Sequence, residues 1–236
     1  MDVAAILDEL DARIAARSIL NHPFYRAWSA GTLSPQDLAT YARLYYPHVA
    51  AFPGYLRRAI AGAELPAVRA ELLANLGEEE SVPRPHADLW LEFAAAVGAE
   101  PAAVVDAPVT RAVATIREFE RLCSGSSAAA LAALYAYESQ QPEVSCRKRE
   151  GLCTHYGVSA PEALAYFEVH SEADVRHRAG ERRAIGECLT AGATAAEVVS
   201  AADAALAAYW QLLDGVSGEI GLGDGCVPND GPALAS

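Results

Sequence analysis

The chain has 236 residues, 52% of them hydrophobic, and a formal net charge of −13. That length and apolar content suit a globular fold with a substantial core, not a disordered polymer, and the negative charge disfavours nucleic acid and anionic membranes as partners. No apolar run reaches the roughly 18 residues a transmembrane helix needs, the acidic amphipathic start (Met1 to Glu9) is unlike a secretion signal, and five cysteines without a CxxC pair fit reduced thiols in a cytoplasmic protein.

The segments follow one another as helices joined by short breaks. Residues 2–17 place Val3, Ile6, Leu7, Leu10 and Ile14 at helical spacing. The loop Asn21-His22-Pro23-Phe24-Tyr25 leads into a short helix. Ser34-Pro35-Gln36-Asp37 is a strong helix start, with a capping hydroxyl, proline at the first position and an acid at the third. The helix it opens extends to about residue 61, bent near Pro47 and Pro53. Another runs from Pro66 to Glu80. Pro83 and Pro85 interrupt it, and the next reaches Val97 before Gly98. Residues 109–123 are amphipathic, and residues 127–150 form a helical segment with Pro142 inside. Ser159-Ala160-Pro161-Glu162 and Thr194-Ala195-Ala196-Glu197 are capping-box patterns that open two long final helices. No alternating β pattern and no internal repeat occurs. The expectation is all-α: one domain of seven to eight helices over residues 1–221, with residues 222–236, rich in Gly, Pro and Asp, as a disordered tail.

The chemistry is carried by His170-Ser-Glu-Ala-Asp174-Val-Arg-His177. On a helix, positions i, i+4 and i+7 fall within roughly 60° of one another, so two imidazoles and a carboxylate share one face. Glu79, His86 and Glu138 are further candidate ligands upstream. Helical bundles hold non-haem metal pairs with carboxylates and histidines projecting inward. A set of three carboxylates and three histidines, with no thiolate, suits iron or manganese and leaves positions open for dioxygen. Other readings stand beside this one. Glu78-Glu79-Glu80 alone is an acidic surface run, and a histidine pair at i, i+7 is compatible with a surface or an interface. Glu138 follows Leu131, Leu134, Tyr135 and Tyr137 in a helix too apolar for the surface, so it must be paired, protonated or metal-bound. Pro142 cannot donate to the Glu138 carbonyl, which points to a distorted helix beside a ligand.

The order Glu79-x6-His86, then Ala136-Tyr137-Glu138, then His170-x3-Asp174-x2-His177 resembles the haem-oxygenase-like dimetal oxidases. Residues 22–25, 41–48 and 51–56, rich in aromatics, are most similar to their CADD type, the TENA/PqqC-like p-aminobenzoate synthases; the similarity covers roughly residues 5–220. The resemblance implies a haem-oxygenase-like bundle, commonly a homodimer, with two metal ions (Fe/Fe or Fe/Mn) and dioxygen as co-substrate. It also implies that p-aminobenzoate for folate is made once per chain from the protein itself. Tyr25 matches the sacrificed tyrosine, Tyr41 a radical relay, and Lys148 the nitrogen source. Lys148 is the single lysine beside 17 arginines. Without the resemblance, Lys148 between Arg147 and Arg149 belongs to a solvated basic patch, and Tyr25, Tyr41, Tyr45 and Tyr46 are core aromatics. His22 and His48 are structural or pocket residues, His155 lies in a loop, and Cys146 and Cys153 are buried or half-buried thiols. The alternatives are an oxidase, dimetal or cofactor-free, acting on an external small molecule, and a non-enzymatic helical interaction module.

Overall fold

The computed structural model describes residues 2–81, 84–106 and 112–222; Pro83, residues 109–111, Cys226 and the proposed tail from residue 223 lie outside them. The described residues fold into helices α1 (Val3–Ala16), α2 (Pro23–Ala30), α3 (Pro35–Gly62), α4 (Pro66–Ser81), α5 (His86–Ala96), α6 (Pro101–Val105), α7 (Val113–Cys123), α8 (Ser127–Glu138), α9 (Gln141–His155), α10 (Pro161–Thr190) and α11 (Ala195–Glu219). One 3-10 turn, Ile19–Asn21, joins α1 to α2.

Local chemistry explains most of the boundaries. Ser34 and Asp37 form the expected capping box at α3, and α3 continues through both Pro47 and Pro53. The His22 ring caps α2 by accepting from the Phe24 N–H, and Gly31, at φ 67°, ends that helix in the left-handed region. Thr194 caps α11 as expected. At α10 the expectation fails: the cap position is Ala160, without a side-chain bond, because proline at the first helical position already fixes the entering backbone.

The segment 127–150 is two helices, not one. α8 ends at Glu138 and α9 opens at Gln141 with Pro142 in its first turn. The proline that sequence reasoning placed inside a distorted helix sits where its missing N–H does no harm. The break matters for the site, because α8 is buried on all sides from Ala130 to Glu138. Such a helix must be central, and it is packed by α3, α7, α10 and α11. Glu138 is therefore delivered to the middle of the bundle. α10 lies alongside α4, α5, α8 and α9, which places its polar face opposite the helices that carry the other candidate ligands. His155 is the last residue of α9, not a loop residue. Cys146 and Cys153 are exposed, while Cys123 and Cys188 are buried. Among the described residues no helix is long and apolar enough to cross a membrane.

Candidate metal centre

The six candidate ligands converge as two triads. Glu79 (α4), His86 (α5) and His170 (α10) each offer a donor atom within 4.8 Å of the others, and so do Glu138 (α8), Asp174 and His177 (α10). In the first, Glu79 Oε1 is 2.9 Å from His86 Nδ1 and 3.7 Å from His170 Nε2. In the second, His177 Nδ1 is 3.2 Å from Asp174 Oδ1 and 3.4 Å from Glu138 Oε1. α10 serves both: its i, i+4, i+7 face is divided, with His170 given to one triad and Asp174 and His177 to the other. One helical turn, about 5.4 Å, separates the two contributions. The acidic run 78–80 is likewise divided by helix geometry. Glu80 pairs with Arg57 at the surface, Glu78 is half-buried between Arg176 and His177, 3.4 Å from His177 Nε2, and Glu79 turns inward and is buried.

Neighbouring groups aim the donors. His170 Nδ1–H donates to the Tyr166 carbonyl at 2.7 Å, which fixes the tautomer and leaves Nε2 facing Glu79. The Asn75 amide reaches both oxygens of Glu138 at 3.0 Å. The electrostatics are those of buried, opposed charges. Burial alone would raise the Glu79 carboxyl, but His170 and His86 pull it to about 2. Burial would lower His177, but Asp174 and Glu138 lift it to about 11. Asp174 is pushed up to about 6, chiefly by burial, and its Oδ2 has no hydrogen-bond partner. Three carboxylates confined with three histidines in a dry interior are costly unless cations answer them. The oxygen and nitrogen donors fit two ions of the iron or manganese kind. Between the triads lies a cavity of about 10 Å³, walled by Val49, Phe52, Tyr137 and Tyr166. It has room for roughly one water-sized molecule.

A second constellation adjoins the first. Lys148 is 2% exposed, so it is no part of a solvated patch. Its amine donates to the Tyr41 hydroxyl at 2.5 Å. It also lies 5.3 Å from the Tyr25 ring centroid, 5.2 Å from that of Tyr45 and 5.6 Å from that of Trp90. Burial lowers its pKa to about 7, and the same desolvation holds the Tyr25 and Tyr41 hydroxyls protonated, far above their ordinary range. Contacts between tyrosines connect this chamber to the cavity. Tyr137, which lines the cavity, bonds the Tyr45 hydroxyl at 3.0 Å and packs on Tyr209 at 4.8 Å. The Tyr209 hydroxyl is 3.4 Å from that of Tyr25.

The Lys148 burial has a measurable consequence. Its folded pKa, about 7, is below its ordinary 10.5, so between those values the unfolded chain binds more protons than the folded one. Stability therefore rises with pH across that window, and the full penalty is present below pH 7. Lys148→Met, which keeps the volume and removes the charge, is expected to stabilise the metal-free protein at pH 6 by about 1–4 kcal/mol. The gain is expected to shrink as pH approaches 10 in thermal melts. A gain independent of pH would contradict the assignment.

Sequence reasoning did not single out Asn75, Tyr166 or Tyr209 as site residues, and it treated Tyr45 as core packing. Asn75 stands four residues before Glu79 on α4, and Tyr166 four before His170 on α10. That same-face spacing was the available signal. Tyr209 carried none. His48 is a buried residue beside Tyr55, as expected, with burial lowering its pKa to about 3.

Comparison with known proteins extends this picture. A family model described as iron-containing redox enzyme, of haem-oxygenase-like type, matches residues 39–210. The 4-aminobenzoate synthase of Chlamydia muridarum is 44% identical over 186 residues, 78% of each chain. That of Nitrosomonas europaea is 36% identical over 222 residues, covering 88% of this chain and 89% of the relative. In structure, a TenA homologue from Pseudomonas syringae superposes with TM-score 0.75 at 22% identity, covering 91% of this chain and 92% of that one. A CADD-like protein of unknown function from Nostoc punctiforme gives 0.74 at 20%, covering 92% and 98%. At these identities the structures speak for the fold.

Proposed function

This chain belongs to the haem-oxygenase-like family of iron-containing redox enzymes, and we propose that it makes 4-aminobenzoate from its own side chains, taking the ring from Tyr25 and the nitrogen from Lys148. One observation carries the reading: the lone lysine amine is buried 5.3 Å from the Tyr25 ring centroid, in the interior that also holds the six-donor set. Relatives named 4-aminobenzoate synthase supply the product.

Glu79, His86 and His170 would hold one ion and Glu138, Asp174 and His177 the other, as an Fe/Fe or Fe/Mn pair. Bound there, the ions supply oxidising chemistry with dioxygen. The side chains do the rest. A tyrosine ring already carries carbon at position 1 and a heteroatom at position 4, as 4-aminobenzoate does. The conversion breaks the Cα–Cβ bond and oxidises Cβ to the carboxylate, with dioxygen as the oxidant. At the other end the oxidised ring condenses with the Lys148 amine, its oxygen leaving as water; the ring then regains two electrons from Lys148 Cε, and hydrolysis breaks the Nζ–Cε bond, leaving the nitrogen on the ring and Cε as an aldehyde. The exchange needs an amine with a free lone pair. Desolvation supplies it, since a pKa of about 7 leaves a large share of Lys148 neutral near neutrality. Arginine, always protonated, would not serve. Tyr41 holds the amine in place and, with its ring 5.3 Å from that of Tyr45, serves as a relay beside Tyr137, Tyr45 and Tyr209 on the contact route by which Tyr25 is oxidised. The cavity of about 10 Å³ admits dioxygen more readily than an aromatic substrate, which favours the internal ring over an external molecule. Buried thiols Cys123 and Cys188 accord with a reducing cytosol, and we place the protein there as a homodimer.

The test is a product count. Protein loaded with iron and manganese, then given reductant and dioxygen, is expected to release no more than one 4-aminobenzoate per chain. Sustained turnover on an added small molecule would overturn the self-derived origin.

A further inference from the structure

One buried carboxylate has no part in the two triads. Glu181 stands on α10 four residues past His177 and seven past Asp174, on the same face of the helix. It is 1% exposed, neither of its carboxylate oxygens accepts a hydrogen bond from an amide, hydroxyl or cationic donor, and the side chain it pairs with is the Glu138 carboxyl group. The carboxylates beside it are Glu138, Asp174 and Glu71. Of these, Glu71 on α4 is the outward one, with a quarter of its side chain exposed and a loose contact to Arg183 at 3.8 Å. Gly180 makes room for it: a Cβ on that residue would lie 1.7 Å from Glu71 Oε1. The bare backbone of α10 is what lets the Glu71 carboxylate settle beside Glu181.

A carboxyl group removed from water, with other carboxylates as its neighbours and no cation beside it, destabilises a fold. A role in packing would favour glutamine or leucine there. What Glu71, Glu181 and Glu138 share is oxygen ligands in sequence from solvent to the second triad, the donor type that hard divalent cations bind. We propose that Glu71 and Glu181 form a loading path along which a divalent cation passes from the surface to the Glu138, Asp174 and His177 triad, a proposal that rests on the two-ion reading above. Glu181 receives the ion from Glu71 and passes it to Glu138. Gly180 gives the Glu71 carboxylate its place at the outer end.

The test follows Mn²⁺ uptake by metal-free protein, using the loss of the free-ion EPR signal with time. Wild type is expected to take up two ions. Glu181→Gln is expected to reach the same final count, with the second ion bound at least about tenfold more slowly, the size of effect that removal of an attracting charge has on association. Gly180→Ala, which displaces the Glu71 carboxylate, and Glu71→Gln are expected to slow the same phase. Should Glu181→Gln fail to fold, the Glu71→Gln variant, at a part-exposed position, and Gly180→Ala carry the test. Unchanged uptake rates in the variants would overturn the path. So would a final count of one in Glu181→Gln, which would make Glu181 a ligand instead. Wild-type protein that binds no Mn²⁺ or Fe²⁺ would remove the two-ion reading itself, a failure distinct from the kinetic one.

Discussion

Tyr25→Phe is expected to abolish 4-aminobenzoate formation while leaving the fold standing. Phenylalanine keeps the ring in its fully buried place and removes one hydroxyl. That hydroxyl makes a long contact, 3.4 Å, to Tyr209, which keeps a second partner in Gln141 at 3.3 Å. The loss in stability is therefore about 1 kcal/mol, a shift of a few degrees in the melting temperature. The chemical loss is total. Without the para oxygen the ring is far harder to oxidise, and no heteroatom remains to exchange for nitrogen. Lys148→Met, folded and more stable, is expected to be equally silent. The assay is growth without 4-aminobenzoate of a strain lacking its usual synthase genes, paired with thermal melts of the purified variants. Full activity in Tyr25→Phe would exclude Tyr25 as the ring source.

How far the sequence shows all this differs from feature to feature. The helical class is open to reading because Gly31, Gly98 and the Ser34 and Thr194 caps mark the ends chemically. The spacing of His170, Asp174 and His177 puts them on one face because the α-helical period alone decides it. That face's division between two triads is not readable, since it depends on where α4, α5 and α8 cross α10. The prolines announce the break before His86, but no local rule predicts that Glu79 and His86 meet across it. Lys148 is the sharpest case. Its neighbours Arg147 and Arg149 are surface charges, and only the angle of α9 in the bundle turns the residue between them inward. Glu181 continues the candidate-ligand face at i+4 from His177, but carboxylates on long helices are usually solvated, so nothing local marks it.

The second large effect concerns the ions. His170→Ala is expected to lower the metal content from about two per chain to about one and to reduce product formation below detection. The substitution removes one of three donors from the Glu79 triad and leaves Glu138, Asp174 and His177 untouched. A lost donor should weaken that ion by at least the 10- to 100-fold that disturbing its supporting groups causes, about 1.4–3 kcal/mol. The metal-free fold should persist, since Glu79 keeps His86 at 2.9 Å. Retention of both ions in His170→Ala would mean that the first triad is not a site.

Beneath every step lies the convergence of six side chains from four helices into two adjoining cages. The direct measurement is elemental analysis of wild-type protein purified from cells supplied with iron and manganese, beside its metal-free form in a thermal melt. The expected result is about two ions per chain and a higher melting temperature with metal bound. A metal-free protein of unchanged stability, from the same cells, would contradict the account.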